Sequence, residues 1–154
     1  MRVVADSDLD GLMAAAVLKA SKPELEVHFA HPALLRSGNL DHLIDRQTAI
    51  CDLPFHKDCG LYLDHHLTNR PTHEEEVEFE STGGICHWRD TPSAARAAFD
   101  LMKDELDLSH LEEVMPIVDA LDSGGISLQE FMEDGPIIRL SLIHISEPTR
   151  QKPI

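Results

Sequence analysis

The sequence predicts an α/β domain: a mainly parallel sheet flanked by helices. Three observations carry this reading. Short apolar runs of strand length recur at residues 2–5, 25–30, 48–51 and 61–63. Residues 11–20 form an alanine-rich stretch that is apolar on all faces, as helices covering a parallel sheet tend to be. The inferred order β-α-β-α-β-β-α-α alternates in the way that βαβ crossovers require.

Along the chain, the first strand ends at the acidic loop Asp6-Ser7-Asp8-Leu9-Asp10-Gly11, which opens the helix over 11–20. Residues 39–45 read as a short helix. The strand over 48–51 runs into Asp52, and the one over 61–63 into Asp64-His65-His66. The acidic run at 74–80 reads as a solvated loop or edge strand. Thr91-Pro92 supplies a cap and a first-turn proline for a helix through about residue 106. Ser109 caps another through about 121, with Glu112 and Glu113 in its first turn. Parallel sheets bind ligands at the carboxyl ends of their strands, and every acidic motif here sits at such an end.

Composition narrows the classes. A chain of 154 residues, 42% hydrophobic and 27% charged, makes one domain with a real core. A formal charge of -15 repels nucleic-acid backbones, so long duplexes are poor partners. No apolar run is long enough for a bilayer and the first residues lack a signal-peptide core, so no membrane association is expected. Three cysteines, Cys51, Cys59 and Cys86, lack paired spacing and read as buried thiols in a reducing cytoplasm. From Leu140 to Arg150 the chain resembles the conceptual translation of a transposase adaptor used in sequencing libraries. Residues 140–154 are therefore read as a non-native tail and residues 1–139 as the domain, with the natural protein expected to continue beyond it.

The acidic motifs outline a two-metal site. Asp8 and Asp10, two apart in one loop, reach neighbouring metals, and Asp52 is placed to bridge both. His65 is placed to supply a nitrogen ligand, while Asp64 orients an imidazole from behind. A further carboxylate is expected late in the chain, where Asp119 and Asp122 are candidates. Carboxylates and imidazole without thiolate favour Mn²⁺, with Mg²⁺ as the alternative, over structural Zn²⁺. His66 is then free to contact a scissile phosphate or protonate its leaving oxygen. The helix start at Thr91 to Ser93, with Arg96 one turn in, is a candidate phosphate cradle. Thr68, Asn69 and Arg70 follow the histidine pair toward the same phosphate, and His56 is a candidate supporting residue. Two other readings compete for the acidic loop. A calcium-binding EF-hand needs a bidentate Glu at the loop's twelfth position, where this chain has Val17. Asp8-Leu9-Asp10-Gly11 also resembles the nucleophile motif of haloacid-dehalogenase-like phosphatases. That family follows the Gly with Thr where this chain has Leu12, and it leaves Asp64-His65-His66 unexplained.

In order and character, the acidic loop, Asp52 and Asp64-His65-His66 resemble motifs I to III of the DHH phosphoesterase superfamily. Within it the chain looks most like a bacterial exopolyphosphatase-like group. The segments that carry the likeness are Asp8-Leu9-Asp10-Gly11, Leu53-Pro54-Phe55-His56, Cys59-Gly60-Leu61-Tyr62, Asp64-His65-His66 and Thr91-Pro92-Ser93-Ala94-Ala95-Arg96. The resemblance covers most of residues 1–139. It implies an enzyme that hydrolyses phosphoesters or phosphoanhydrides of a small or linear substrate with two Mn²⁺ or Mg²⁺ ions. By position it implies Asp8, Asp10, Asp52, His65 and Asp119 as metal ligands, with Asp122 in the same fourth-motif region. Many members begin the first motif with a His ligand. The Asp-rich start here is like that of the RecJ-type nucleases and makes Asp6 a possible substitute. The superfamily usually adds a C-terminal substrate-binding domain, so the activity of this fragment alone is left open. A non-catalytic metal-binding regulatory protein is the alternative, and the sequence is silent on oligomeric state.

Overall fold

The computed structural model describes residues 1–127 and 129. Its elements in chain order are β1 (Arg2–Asp6), α1 (Leu9–Ser21), β2 (Glu26–Ala30), α2 (Pro32–Arg36), β3 (Thr48–Cys51), β4 (Leu61–Asp64), α3 (His73–Ser81), β5 (Ile85–Trp88), α4 (Ala94–Met102) and α5 (Met115–Asp122). The strands form one sheet in the order β2-β1-β3-β4-β5. All four pairings are parallel, with Val3 opposite both Val27 and Ala49, Cys51 opposite Leu63, and Asp64 opposite Trp88. The predicted α/β fold with a parallel sheet is the one observed.

Side chains alternate across the sheet, so each central strand feeds two cores. Val3, Ala5, Ala49, Cys51 and Leu63 face the apolar sides of α1, α4 and α5. Val4, Ile50 and Tyr62 point the other way, onto Leu35, Leu53 and Phe79. The small residues Ala14 and Ala15 of α1, and Ala94, Ala95, Ala97 and Ala98 of α4, are all buried, which lets the two helices approach closely on one face.

Several elements differ from expectation. The acidic run after residue 73 is helical: Thr72 and Glu75 form a reciprocal capping box, and Glu74, Glu75 and Glu76 sit at the positive end of α3. Only Phe79 of that helix is buried, so its apolar periodicity is faint in the sequence. β5 follows directly at the sheet edge and had no strand-length apolar run to announce it. The segment over 39–45 holds only a short 3₁₀ turn, Asp41–Leu43. α4 starts two residues later than Thr91-Pro92 suggests. Ser93 is its cap, accepting from the Arg96 N–H at 2.9 Å, while the Thr91 hydroxyl donates to the Ser93 carbonyl. The helix expected from Ser109 is split into a 3₁₀ turn, Ser109–Leu111, and α5, which restarts around Pro116 in its first turn. The expected domain limit at residue 139 and the adaptor-like tail over 140–154 lie outside the described residues. The three cysteines are free and buried. Among the described residues no helix is long and apolar enough to cross a membrane.

Gly11 is where α1 presses on the end of β1. A Cβ there would lie 2.7 Å from the Asp6 nitrogen and 2.8 Å from its carbonyl carbon, backbone atoms that cannot swing aside. Gly11→Ala is therefore expected to cost about 1–3 kcal/mol, the range of an overpacked core. Urea unfolding of parent and variant measures this, and an unchanged midpoint would show that α1 has room to retreat.

Candidate active site

β1 has β2 on one side and β3 on the other, so the chain reverses its direction of winding between β1 and β3. Loops leaving the carboxyl ends of such a pair diverge and open a crevice. Asp6 ends β1, Asp8 caps α1, Asp52 follows β3, and Asp64-His65-His66 end and follow β4. The fold thus gathers motifs spread over some sixty positions onto one sheet edge, and α5 adds Asp122 from its last turn.

Each side chain has a local reason for its position. Asp8 accepts the Gly11 N–H at 2.9 Å through one oxygen as the α1 cap. Asp52 has φ of 56°, a left-handed conformation that L residues other than Asn and Asp seldom adopt and that costs about 1–3 kcal/mol. Asp64 is fully buried and accepts five hydrogen bonds. One oxygen takes the N–H groups of His65 and His66 at 2.7 and 3.1 Å and His66 Nδ1 at 3.0 Å. The other takes the Tyr62 hydroxyl and Asn69 Nδ2, both at 2.8 Å. Burial opposes the charge on Asp64, but these donors outweigh it and hold its pKa below the usual carboxylate range.

His65 has its Nδ1 3.1 Å from the carbonyl of Thr91. A carbonyl only accepts, so Nδ1 carries the proton and Nε2 of the neutral ring presents a lone pair. That Nε2 faces Asp122 Oδ2 at 3.0 Å, Asp10 Oδ2 at 3.5 Å and Asp52 Oδ1 at 4.0 Å. Yet Nε2 makes no hydrogen bond, and neither does the buried Oδ1 of Asp52. Both atoms are buried and neither completes a well-aligned hydrogen bond, although Asp122 lies 3.0 Å from the first and His66 Nδ1 3.4 Å from the second, an arrangement among carboxylates that a shared cation satisfies. Donor atoms converge within 4.8 Å in three overlapping groups: Asp6, Asp8 and Asp52; Asp52, Asp64, His65 and His66; and Asp10, His65 and Asp122. The set contains carboxylate oxygen and imidazole nitrogen and no thiolate, which fits a hard divalent ion.

The electrostatics agree. Burial, with Asp10, Asp8 and Asp64 nearby, pushes Asp52 up to about 9 against the pull of His66. Burial likewise pushes Asp10 up to about 7 and raises Asp6, whose neighbour Asp8 adds to the effect. Burial works against the charged form of His65, but Asp122 and Asp10 prevail and raise its pKa. His66, half-exposed, is pushed up to about 11 by Asp52 and by its bond to Asp64, so it is an imidazolium at neutral pH.

Some expected roles fall elsewhere. Asp119 points to α4, not to the cluster: it accepts the Ser93 hydroxyl at 2.7 Å and Arg96 Nε and Nη2 at 2.9 and 2.6 Å. Asp122, one turn on, is the α5 carboxylate beside His65. Ser93 and Arg96 are thereby occupied. The start of α4 is no open phosphate cradle either, because Asp10 fills it, accepting from the Ala94 and Ala95 N–H groups at 2.7 Å each. Asp10 is thus a clasp between the first loop and α4 as well as a neighbour of His65. His56 sits 3.4 Å from Asp41, outside all three groups. Asn69 braces Asp64, and Arg70 lies over the Trp88 ring at 4.4 Å. The sequence reading missed the part Tyr62 plays in holding Asp64. Its position two before the Asp, on the same face of the strand, was the available signal.

Fold and site together define an α/β domain with a carboxylate and imidazole cluster at its topological switch point. No family model and no curated protein matches the chain. Among solved structures it is similar to the pGpG-specific phosphodiesterase PggH from Vibrio cholerae, with 26% identity and a TM-score of 0.71. That alignment covers 93% of this chain and 44% of PggH, so the chain spans less than half of that protein's length.

Two predictions follow from the charges. A carboxyl whose folded pKa lies above its unfolded value of about 3.9 contributes stability that is full below that value and lost as pH rises through the folded pKa. Asp10 and Asp52, at about 7 and about 9, should therefore make the metal-free protein less stable between pH 5 and 9. His66 acts with the same sign, losing its contribution progressively from its unfolded value of about 6.5 up to about 11. Mn²⁺ should flatten the slope. Thermal unfolding across this range, with chelator and with Mn²⁺, tests it, and a midpoint that climbs with pH in chelator would contradict it. In a separate test, Arg96→Ala should weaken divalent-ion affinity about 10–100-fold, because Arg96 holds the helix that presents Asp122. Asp119→Ala should do the same, and the double variant little more. Calorimetric titration with Mn²⁺ reads this cycle, and additive losses would show that the pair does not act as a unit.

Proposed function

We propose that this chain carries the catalytic centre of a divalent-metal-dependent phosphohydrolase acting on a phosphodiester or phosphoanhydride in a small or linear phosphate compound. The observation that carries this reading is the pair of buried polar atoms that complete no hydrogen bond, Asp52 Oδ1 and His65 Nε2, at the meeting point of the three ligand groups. The likeness to a phosphodiesterase that acts on pGpG supports the class of bond and a substrate of dinucleotide size. The DHH resemblance of the motifs supports two ions, with Mn²⁺ favoured over Mg²⁺. An exopolyphosphatase-like preference for a longer phosphate chain remains the alternative substrate. Three unpaired cysteines fit a reducing cytoplasm as the place of action.

When bound, a pair of divalent ions supplies a water acidic enough to be hydroxide near neutral pH and offsets charge on the phosphoryl oxygens. Asp6 and Asp8 would hold one ion, His65 and Asp122 the other, with Asp10 beside the second and Asp52 shared between them. His65 is kept in the right tautomer by the Thr91 carbonyl. His66 is the proton carrier. Asp64 ties down its Nδ1, leaving Nε2 of a half-exposed imidazolium to protonate the leaving oxygen or bind the scissile phosphate. Asp64 itself acts through His66.

Hydrolysis of pGpG, of a generic phosphodiester and of polyphosphate with added Mn²⁺ tests the reading. Asp52→Asn should lower turnover more than about a hundredfold and weaken Mn²⁺ binding, since one carboxylate serves both ions. Full Mn²⁺-dependent turnover in that variant would remove the shared-ligand assignment. Acid quench during turnover should yield no phosphorylated protein, and an aspartyl-phosphate on Asp8 would move the chain to the haloacid-dehalogenase-like chemistry.

A further inference from the structure

The chain is strongly acidic, yet at the mouth of the crevice it presents arginines that no carboxylate neutralises. Arg2, Arg96 and Lys103 pair with Asp45, Asp119 and Asp100. Arg46 is taken up by the Cys59 carbonyl and the Thr82 hydroxyl. Arg36, Arg70 and Arg89 are exposed, and among the described residues none of the three forms an ion pair; Arg89 follows β5 and donates to the Trp88 carbonyl at 2.8 Å, whereas Arg36 and Arg70 stand against the turn after His66. Arg36 ends α2, the short helix after β2. Its Nη2 donates to Asn69 Oδ1 at 3.3 Å, and Asn69 Nδ2 donates in turn to Asp64 at 2.8 Å. Arg70 follows Asn69 and stacks on Trp88, whose Nε1 donates to the His66 carbonyl at 3.0 Å. At the other end of α2, its cap His31 directly follows Ala30, the residue paired with Asp6 across β1 and β2. The helix therefore borders the site from the end of β1 to the turn after His66, and two planar guanidinium groups are braced within two side chains of the proposed proton carrier.

We propose that Arg36 and Arg70 form a second anion subsite at the crevice mouth, which receives the phosphate next to the scissile one in a linear phosphorylated substrate. This rests on the phosphohydrolase reading above. The carboxylates of the crevice repel any phosphate that no cation meets, so a substrate with two phosphates needs positive charge where the second one emerges. Guanidinium groups suit that place, since each offers a fork of donors to phosphate oxygens and keeps its charge at any working pH. Stacking on Trp88 and the bond to Asn69 leave other N–H donors of both groups free, and bracing lowers the entropy lost when they engage an anion. A compound bearing only the scissile phosphate leaves the subsite idle, so the pair selects for the second phosphate.

Equilibrium titration of the chain, with Ca²⁺ present to limit turnover, tests this with pGpG, with its 5′-dephosphorylated counterpart and with tripolyphosphate. The parent should prefer pGpG over the dephosphorylated dinucleotide by about tenfold or more, the discrimination of one or two charge-assisted hydrogen bonds. Arg36→Gln should lower that ratio at least about threefold and Arg36→Lys should retain part of it, while Arg36→Gln with Arg70→Gln should bring it within about twofold of unity. Lys103→Gln, the same charge change at the far end of α4, should leave the ratio alone. If the double variant also loses affinity for tripolyphosphate, the subsite accepts inorganic chains; if only the dinucleotide ratio moves, it serves phosphorylated nucleotides. An unchanged ratio in the double variant, equal weakening of both dinucleotides, or a parent without preference would overturn the proposal. Turnover with Mn²⁺ is scored separately. A lost preference in a protein that hydrolyses nothing removes the phosphohydrolase reading alone, and hydrolysis with an unmoved ratio removes the subsite alone.

Discussion

The constraint on which this structure turns is the convergence of like charges. Asp6, Asp8, Asp10, Asp52, Asp64 and Asp122 meet at one edge of a single sheet, and Asp10, Asp52 and Asp64 are buried there. In a low-dielectric interior such groups repel one another and lose hydration, so each needs donors of its own. Asp64 has five hydrogen bonds, and its charge is secure. Asp10 has the first two free N–H groups of α4 and the positive end of that helix. Asp119, on the neighbouring helix, has a two-pronged arginine and a serine. Among the described residues Asp52 Oδ1 is the buried carboxylate oxygen that completes no well-aligned hydrogen bond, with His66 Nδ1 3.4 Å away. The well-supplied carboxylates hold the architecture together, and the one left short is where the proposed cation would sit.

The same contacts explain how elements distant in the chain become one device. Asp10 joins the first loop to α4 across some eighty positions, and the close packing of alanine faces between α1 and α4 permits that reach. Arg96 and Ser93 then hold α5 through Asp119, which sets Asp122 beside His65. Thr91, in the turn before α4, supplies the carbonyl that decides which nitrogen of His65 is free. The start of α4 is therefore a hub: it binds Asp10, orients His65 and fixes α5. A defect there would reach the proposed ion ligands without touching them, in the way that supporting hydrogen bonds tune metal sites.

The rim has a complementary logic. The interior of the crevice is negative and its mouth carries Arg36 and Arg70, so the field changes sign over a few side chains. On the proposed reading, such a gradient draws a polyanion end-on and leaves cations to the interior. Asn69 is the link, since it touches Asp64 on one side and Arg36 on the other. The turn that follows the histidine pair thereby ties His66 to the rim.

Much of this was legible in the chain itself. Apolar runs of strand length, an all-round apolar helix and acids placed directly after the runs determined the α/β class and the edge on which the chemistry sits, because hydrophobic patterning and the polarity of parallel strands are local rules. The two acidic groups of the first loop, Asp52, Asp64 and the histidine pair needed no more than that. Other features were hidden because their determinants are not local. α3 owes its helix to a capping box and one buried Phe79 rather than to an apolar stripe, and β5 to the open edge that β4 offers. Asp119 and Asp122 are one helical turn apart and share a face, so no pattern in the chain separates the arginine's partner from the histidine's. The anion at the start of α4 looked like a substrate phosphate and is Asp10, because only the packing of α1 on α4 brings that carboxylate to those amides. The sequence determined which chemical groups stand at the sheet edge; which carboxylates are held by protein donors and which is left without them was decided by distances that exist only once the chain is folded.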